Sequence, residues 1–254
     1  MLAAAGCFGY GLEYARLVDV ARAGAIVTRS TSLHPRRVAR PPRIVETPAG
    51  VLWSGPWPNP GLGRIVERYA PIWAGWSVPV LLSVVGATPA EYAAVAAALE
   101  GVEGIAGLEL NLSDAVDHAA PVIATTRAAT LLPLLVKLPM LTQGLATLAR
   151  SAADAGADAI TVSASPRAMT VDSESGTRLE GRLSGPALRP LALLLVAEVA
   201  AAVTVPVIGC GGIATADDAR QFLAAGALAV QVGAALLADP LALTRIADDL
   251  RGDA

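Results

Sequence analysis

The chain has 254 residues, a formal net charge of −3 and a pI near 5.4. Hydrophobic residues make up 54% and charged residues 16%, enough for a large core and unlike a disordered composition. Nothing resembles a clustered basic nucleic-acid surface, and the most apolar stretch, Leu191 to Val203, carries Glu198 and is too short to span a bilayer. Short apolar runs predict strands at Leu2–Ala5, Ala25–Thr28, Pro79–Val85, Gly107–Leu112, Leu132–Leu138, Ala159–Val162, Pro206–Gly209 and Ala229–Val232. Strands apolar almost throughout belong in a parallel sheet covered on both faces. Ala/Leu-rich segments of helical period lie between them. Thr88-Pro89-Ala90-Glu91 predicts a helix start with a capping box, and Thr215-Ala216-Asp217-Asp218 places acids in a first turn, where the helix dipole favours them. Gly24, Gly156 and Gly226 read as helix-terminating caps before strands.

Eight strand–helix units in this length predict one (β/α)8 TIM barrel, α/β with eight parallel strands, covering 1–254 as a single domain. A doubly wound sheet is the alternative, but Gly6-Cys7-Phe8-Gly9-Tyr10-Gly11 only loosely resembles its glycine fingerprint. Two connections, 30–59 and 164–185, are long and would lie on the C-terminal face, where barrels build active sites. The first holds Trp53 and Trp57 and reads as a structured wall; its basic run, Arg36 to Arg43, is broken by prolines and reads as loop. Cys7 and Cys210 have no zinc or C-x-x-C spacing. With no visible secretory leader, a cytosolic location and free thiols are expected.

Of the 19 lysines and arginines, Lys137 is the one lysine. It sits in Leu134-Leu135-Val136-Lys137-Leu138, an apolar strand in which a charge is costly without a partner. The plainer reading is a rim lysine reaching water; the sharper one is a compact point charge aimed at a ligand atom. Strand seven ends in Gly209-Cys210-Gly211-Gly212 and strand eight in Val232-Gly233-Ala234. Bare backbone there can approach an anion, and barrels often bind phosphate at this place. Glycines that merely permit tight turns are the structural alternative.

These residues resemble the dihydroorotate dehydrogenases, particularly the soluble class 1 enzymes. The resemblance is carried by Gly6-Cys7-Phe8-Gly9 with Glu13-Tyr14-Ala15, Pro41-Pro42-Arg43 through Pro48, Asn59-Pro60-Gly61, Glu109-Leu110-Asn111-Leu112-Ser113, Val136-Lys137-Leu138, Leu183-Ser184-Gly185-Pro186-Ala187 and the two glycine turns, in order. It implies FMN on the C-terminal face, with Gly211, Gly212, Gly233 and Ala234 around the phosphate. Lys137 would face the pyrimidine edge of the ring, where a cation tunes the cofactor. Gly6, Arg29, Ser30, Asn111, Ser165, Gly185 and Cys210 would line the cofactor site; for Cys210 a packing role stands equally. A small-molecule substrate is implied, with a homodimer and an electron-transfer partner protein as family options; no nucleic acid or membrane partner is expected.

The substrate half departs from the family pattern. Asp114 stands where a catalytic cysteine or serine is expected after Asn111-Leu112-Ser113. Trp53, Val116 and Ala164 replace substrate-binding asparagines, leaving Asn111, and Arg29 replaces a lysine. The active-site loop is short, with a helix expected from Ala119, and the chain begins at the first barrel strand. Asp114 is the candidate general base, with Ser113 the fallback; a solvated loop aspartate or a helix cap is the plainer alternative. His118 and His34 read as incidental. Trp53, Asn111 and Arg29 would shape the substrate pocket. The activity implied is dihydroorotate oxidation in pyrimidine biosynthesis. The alternatives are an FMN oxidoreductase on another small substrate, a non-catalytic flavin- or phosphate-binding barrel, and a flavin-free barrel acting on a phosphorylated metabolite.

Overall fold

The computed structural model describes residues 1–38, 41–55, 58–171 and 176–252. Trp57 and the Ala39-Arg40 part of the basic run lie outside these residues. Twelve strands follow in chain order: β1 (Leu2–Ala3), β2 (Ala25–Val27), β3 (Ile44–Thr47), β4 (Gly50–Trp53), β5 (Val80–Val84), β6 (Gly107–Asn111), β7 (Leu134–Leu138), β8 (Ala159–Val162), β9 (Arg167–Val171), β10 (Arg178–Ser184), β11 (Val207–Cys210) and β12 (Ala229–Val232). Eight of them, β1, β2, β5, β6, β7, β8, β11 and β12, close into a parallel barrel in sequence order, with β12 pairing back onto β1. These are the eight strands expected from the apolar runs, and the fold is a (β/α)8 barrel.

Closure explains why those strands are apolar throughout. Successive side chains point to opposite faces of a strand. One set, including Ile26, Leu82, Leu110, Val136, Ile160 and Val232, packs outward into the main core with the helices. The other set fills the lumen, where Ala25, Val27, Leu81, Leu135, Ala159 and Ile208 form a separate apolar cluster. Two residues further toward the strands' C-terminal ends, the lumen turns polar: Ser83, Glu109, Lys137, Thr161 and Gln231 are all buried there.

The helices show the expected starts with two differences. Thr88 caps the Pro89–Leu99 helix by accepting from the Glu91 amide, but the Glu91 carboxylate accepts from Ala87 N rather than closing the box on Thr88. The full capping box forms instead at Thr215, where Asp218 Oδ2 accepts from Ala214 N and Thr215 N, both at 2.9 Å. Gly156 and Gly226 adopt positive φ after their helices, as read from the sequence. Gly24 does not: the β1–β2 connection holds turns and the 3₁₀ turn Val20–Arg22, which is capped at Ala23, so there is no α-helix for Gly24 to end. A helix does begin at Ala119.

The two long connections are not simple loops. Each contributes two strands to one antiparallel sheet in the order β3-β4-β10-β9. The cross-connection pair is β4–β10, with Trp53 opposite Arg182 and Val51 opposite Ser184. Sequence periodicity misses this because the pairing is between segments more than a hundred residues apart.

Gly209 faces outward between two lumen residues, and a Cβ built there would lie 2.4 Å from Phe222 Cδ1, far inside contact distance. Phe222 is fully buried on the Ala216–Ala224 helix. Gly209→Ala is therefore expected to destabilise the protein by about 1–3 kcal/mol through overpacking. Urea denaturation checks this; an unchanged midpoint at constant slope would contradict it.

Candidate active site at the barrel mouth

Above the polar lumen layer lies a cavity of about 530 Å³. The barrel forms its floor and the β3-β4-β10-β9 sheet its roof. Floor residues include Gly6, Cys7, Arg29, Asn111, Lys137, Ser163, Ala164, Cys210, Gly211, Gly212, Gly233 and Ala234. Arg43, Ile44, Val51, Trp53, Ser54, Ser184 and Gly185 line it from the roof side, together with Val38, Pro41 and Pro58. Ser165 joins from the segment leading into β9, and its hydroxyl lies 2.6 Å from that of Ser184.

The glycines at the barrel ends are bare for two different reasons. Gly212 has φ +75°, and a Cβ there would press on Arg189 N and the Gly185 carbonyl, each at 2.9 Å. Packing and backbone conformation both demand glycine at that position. At Gly233 a Cβ would meet only Ala4 and Cys7, at 3.4 and 3.7 Å, which is ordinary contact. At Gly6 it would meet nothing within 4 Å. Gly6 has φ +92°, so its backbone conformation also favours glycine, whereas at Gly233 packing leaves room that the protein itself does not fill.

Lys137 is buried, with 5% of its surface exposed, and its ammonium lies at the cavity floor. It donates to Gln231 Oε1 at 2.7 Å and to Glu109 Oε1 at 3.4 Å. The other carboxylate oxygen of Glu109 accepts from Gln231 Nε2 at 2.6 Å and from Thr161 Oγ1 at 3.1 Å. Burial by itself lowers the ammonium's pKa; negative charge on the Cys210 sulfur and on the Glu109 carboxylate opposes this and the net direction is upward, and with the thiol protonated at neutral pH the Glu109 carboxylate is the charge that remains. Sequence reasoning singled out Lys137 but missed Glu109 and Gln231. The signal was present: both are polar residues inside apolar strands, at the same two-residue phase as the lysine.

Three sequence-expected residues lie outside the cavity lining. Ser30 is buried beside it, 2.9 Å from the Ser83 hydroxyl, and accepts from Asn111 Nδ2 at 3.2 Å. It orients Asn111 rather than facing the cavity itself. Ser113 donates its backbone N–H (3.1 Å) and its hydroxyl (2.5 Å) to Asn111 Oδ1. Asp114 pairs with the Arg182 guanidinium, which also donates to the Ser165 carbonyl at 2.9 Å. Arg182 stands on β10, so this ion pair joins the β6 loop to the roof.

Sequence reasoning also missed Ser163 and Arg43. Ser163 follows a cis peptide bond and lines the cavity. Among the described residues, its hydroxyl is the one buried side-chain polar atom without a hydrogen-bond partner. A buried hydroxyl left unpaired is costly, so this atom favours a ligand that would pair with it.

The model of the dihydroorotate dehydrogenase family matches residues 1–252. The chain belongs to the dihydroorotate dehydrogenase family. It is 42% identical to a protein of Desulforudis audaxviator named dihydroorotate dehydrogenase B (NAD(+)), catalytic subunit, over 98% of this chain and 87% of that protein. Proteins of the same name from Pelobacter propionicus and Geobacillus kaustophilus are 40% and 36% identical over 98% of the chain, covering 88% and 85% of their own lengths. The chain is thus an oxidoreductase-family barrel. No helix among the described residues is long and apolar enough to cross a membrane, and no group of three or more His, Cys, Asp or Glu there has the arrangement of a metal site.

Both cavity thiols are held toward the protonated form. Burial pushes Cys7 up to about 11, with the Cys210 sulfur adding to the rise and Lys137 and Arg29 opposing it. Burial likewise raises Cys210. Since the thiolate is the reactive form, Cys7 in the folded protein is expected to alkylate at pH 8 about a hundred-fold more slowly than an ordinary thiol. Mass analysis of the iodoacetamide-labelled peptide over time measures this; labelling of Cys7 at the rate of the unfolded chain would refute it.

Proposed function

We propose that this chain holds FMN in the barrel-mouth cavity and oxidises dihydroorotate to orotate. The observation carrying this reading is the conjunction of bare backbone at the ends of β11 and β12 with one buried ammonium across the same cavity. The residues fit the group: Gly6 and Gly233 leave space that a Cβ would fill, and Ser163 offers an unpaired buried hydroxyl. When bound, FMN supplies a two-electron acceptor. Backbone N–H groups around Gly211, Gly212, Gly233 and Ala234 suit a phosphate. The Lys137 ammonium suits the negative charge that builds on the ring as it is reduced.

For the substrate, Arg29 offers a guanidinium able to hold a carboxylate through two parallel bonds. Asn111, fixed by Ser30 and Ser113, offers a carboxamide at a set orientation. Trp53 closes the roof over these groups and keeps water from the reacting face. A base is needed to take the proton from the carbon beside the hydride donor. Asp114 is our choice and Ser113 the fallback; Asp114 must leave Arg182 and swing inward to act. The relatives' printed name supports a further step in the same reading, in which electrons pass on to an NAD-linked partner protein. A cytoplasmic location and a homodimer accord with it.

A second reading has its own support. Asn111 is the one carboxamide lining the cavity among the described residues, and the roof presents Ile44, Val51 and Trp53. A site that recognises a pyrimidine's several polar edges needs partners for each of them. The same cofactor could therefore serve a less polar carboxylate.

The purified protein is expected to be yellow, and anaerobic dihydroorotate is expected to bleach the flavin band. Bleaching by other small acids but not by dihydroorotate selects the second reading; a colourless protein that takes up no FMN ends both. Asp114→Asn should slow flavin reduction by about 10²–10⁴-fold, the usual worth of a positioned base. A rate equal to wild type removes Asp114 from that role.

A further inference from the structure

The geometry points to Glu109 as a positioning residue: its carboxylate is the counter-ion that keeps the Lys137 ammonium charged and aimed at the cavity floor. Glu109 is wholly buried, on β6, and Lys137 is nearly so, on the adjacent β7. An ammonium in such surroundings loses its proton unless an opposite charge and hydrogen bonds hold it. Both are present. One Glu109 oxygen takes the ammonium directly at 3.4 Å. The other takes Gln231 Nε2, and this fixes the amide so that its carbonyl oxygen meets the ammonium at 2.7 Å. Glu109 therefore acts on Lys137 twice, once through charge and once through the orientation of Gln231, while Thr161 completes the carboxylate's bonding.

The other titratable groups facing the ammonium are the Cys210 and Cys7 thiols. Burial holds both in the protonated, uncharged form at neutral pH, so neither replaces the carboxylate. Glu109 has no exposed surface and is absent from the cavity lining, so it acts through the lysine and not by touching a ligand. Its consequence for the flavin rests on the function proposed above. An ammonium that stays charged stabilises the reduced ring, so loss of the counter-ion lowers the cofactor's reduction potential once the lysine is neutral.

Lys137 is the one lysine in the chain, which makes a direct test available. Protein grown with ¹⁵N-lysine carries a single labelled side chain. Glu109→Gln keeps the shape of the residue and removes the charge. In flavin-free protein, the labelled ammonium of this variant is expected to titrate at distinctly lower pH than in wild type, and Glu109→Asp is expected to restore much of the difference. A titration unchanged in Glu109→Gln overturns the proposal. At a pH where the variant's lysine is neutral, bound FMN should show a lower midpoint potential than in wild type; an equal potential overturns the link to the cofactor. Protein that takes up no FMN defeats the proposed function, while the lysine titration still judges Glu109. If Glu109→Gln does not fold, Glu109→Gln/Lys137→Met removes both charges. Recovery of the fold in that double variant supports the counter-ion role, and failure to recover overturns it.

Discussion

A closed parallel barrel forces every strand to satisfy two environments at once, and the site follows from how this chain does so. Outward residues meet helices; inward residues meet each other across the lumen. The inward positions cannot all be large and apolar at the mouth, because the uppermost layer must also present chemistry to a ligand. The chain's answer is an apolar plug at one level and a fully hydrogen-bonded polar layer one step above it. Breaking such a buried ion pair from one side costs about 3–5 kcal/mol, because a lone charge is then left without water. The ion pair is tolerated because four strands of the polar layer each supply one member of its network: Glu109, Lys137, Thr161 and Gln231.

Much of this was legible in the sequence, for stated reasons. Continuous apolar runs at regular spacing identified the barrel strands, since burial on both faces leaves little alternative. Lys137 stood out because it is a unique residue type in an unsuitable place. Glu109 and Gln231 obeyed the same logic but were hidden among more common residue types. The roof was illegible. Its β4–β10 pairing joins segments that are remote in the chain, and neither segment has a core beneath it to impose a clear alternation. The Asp114–Arg182 pair was invisible for the same reason: one partner lies on the roof and the other on a barrel loop. The local rules also err at Gly24: the 3₁₀ turn Val20–Arg22 before it is capped at Ala23, and Gly24 does not adopt positive φ.

Floor and roof differ in how tightly they are specified. On the floor, backbone conformation, packing and hydrogen bonding all restrict the same positions, as at Gly212 and Lys137. On the roof, Ile44 and Trp53 are cross-strand neighbours that line the cavity, as does Val51, while Leu52, between Val51 and Trp53, is buried on the other side. The departures from the family pattern fall on both: Trp53 is on the roof, whereas Ala164 and Arg29 line the floor.

Because the lid is a small sheet laid across the barrel and not woven into it, its inner face can mutate while the foundation stands still. A lineage could thereby vary what meets a ligand from above by repainting a ceiling, without rebuilding the barrel beneath.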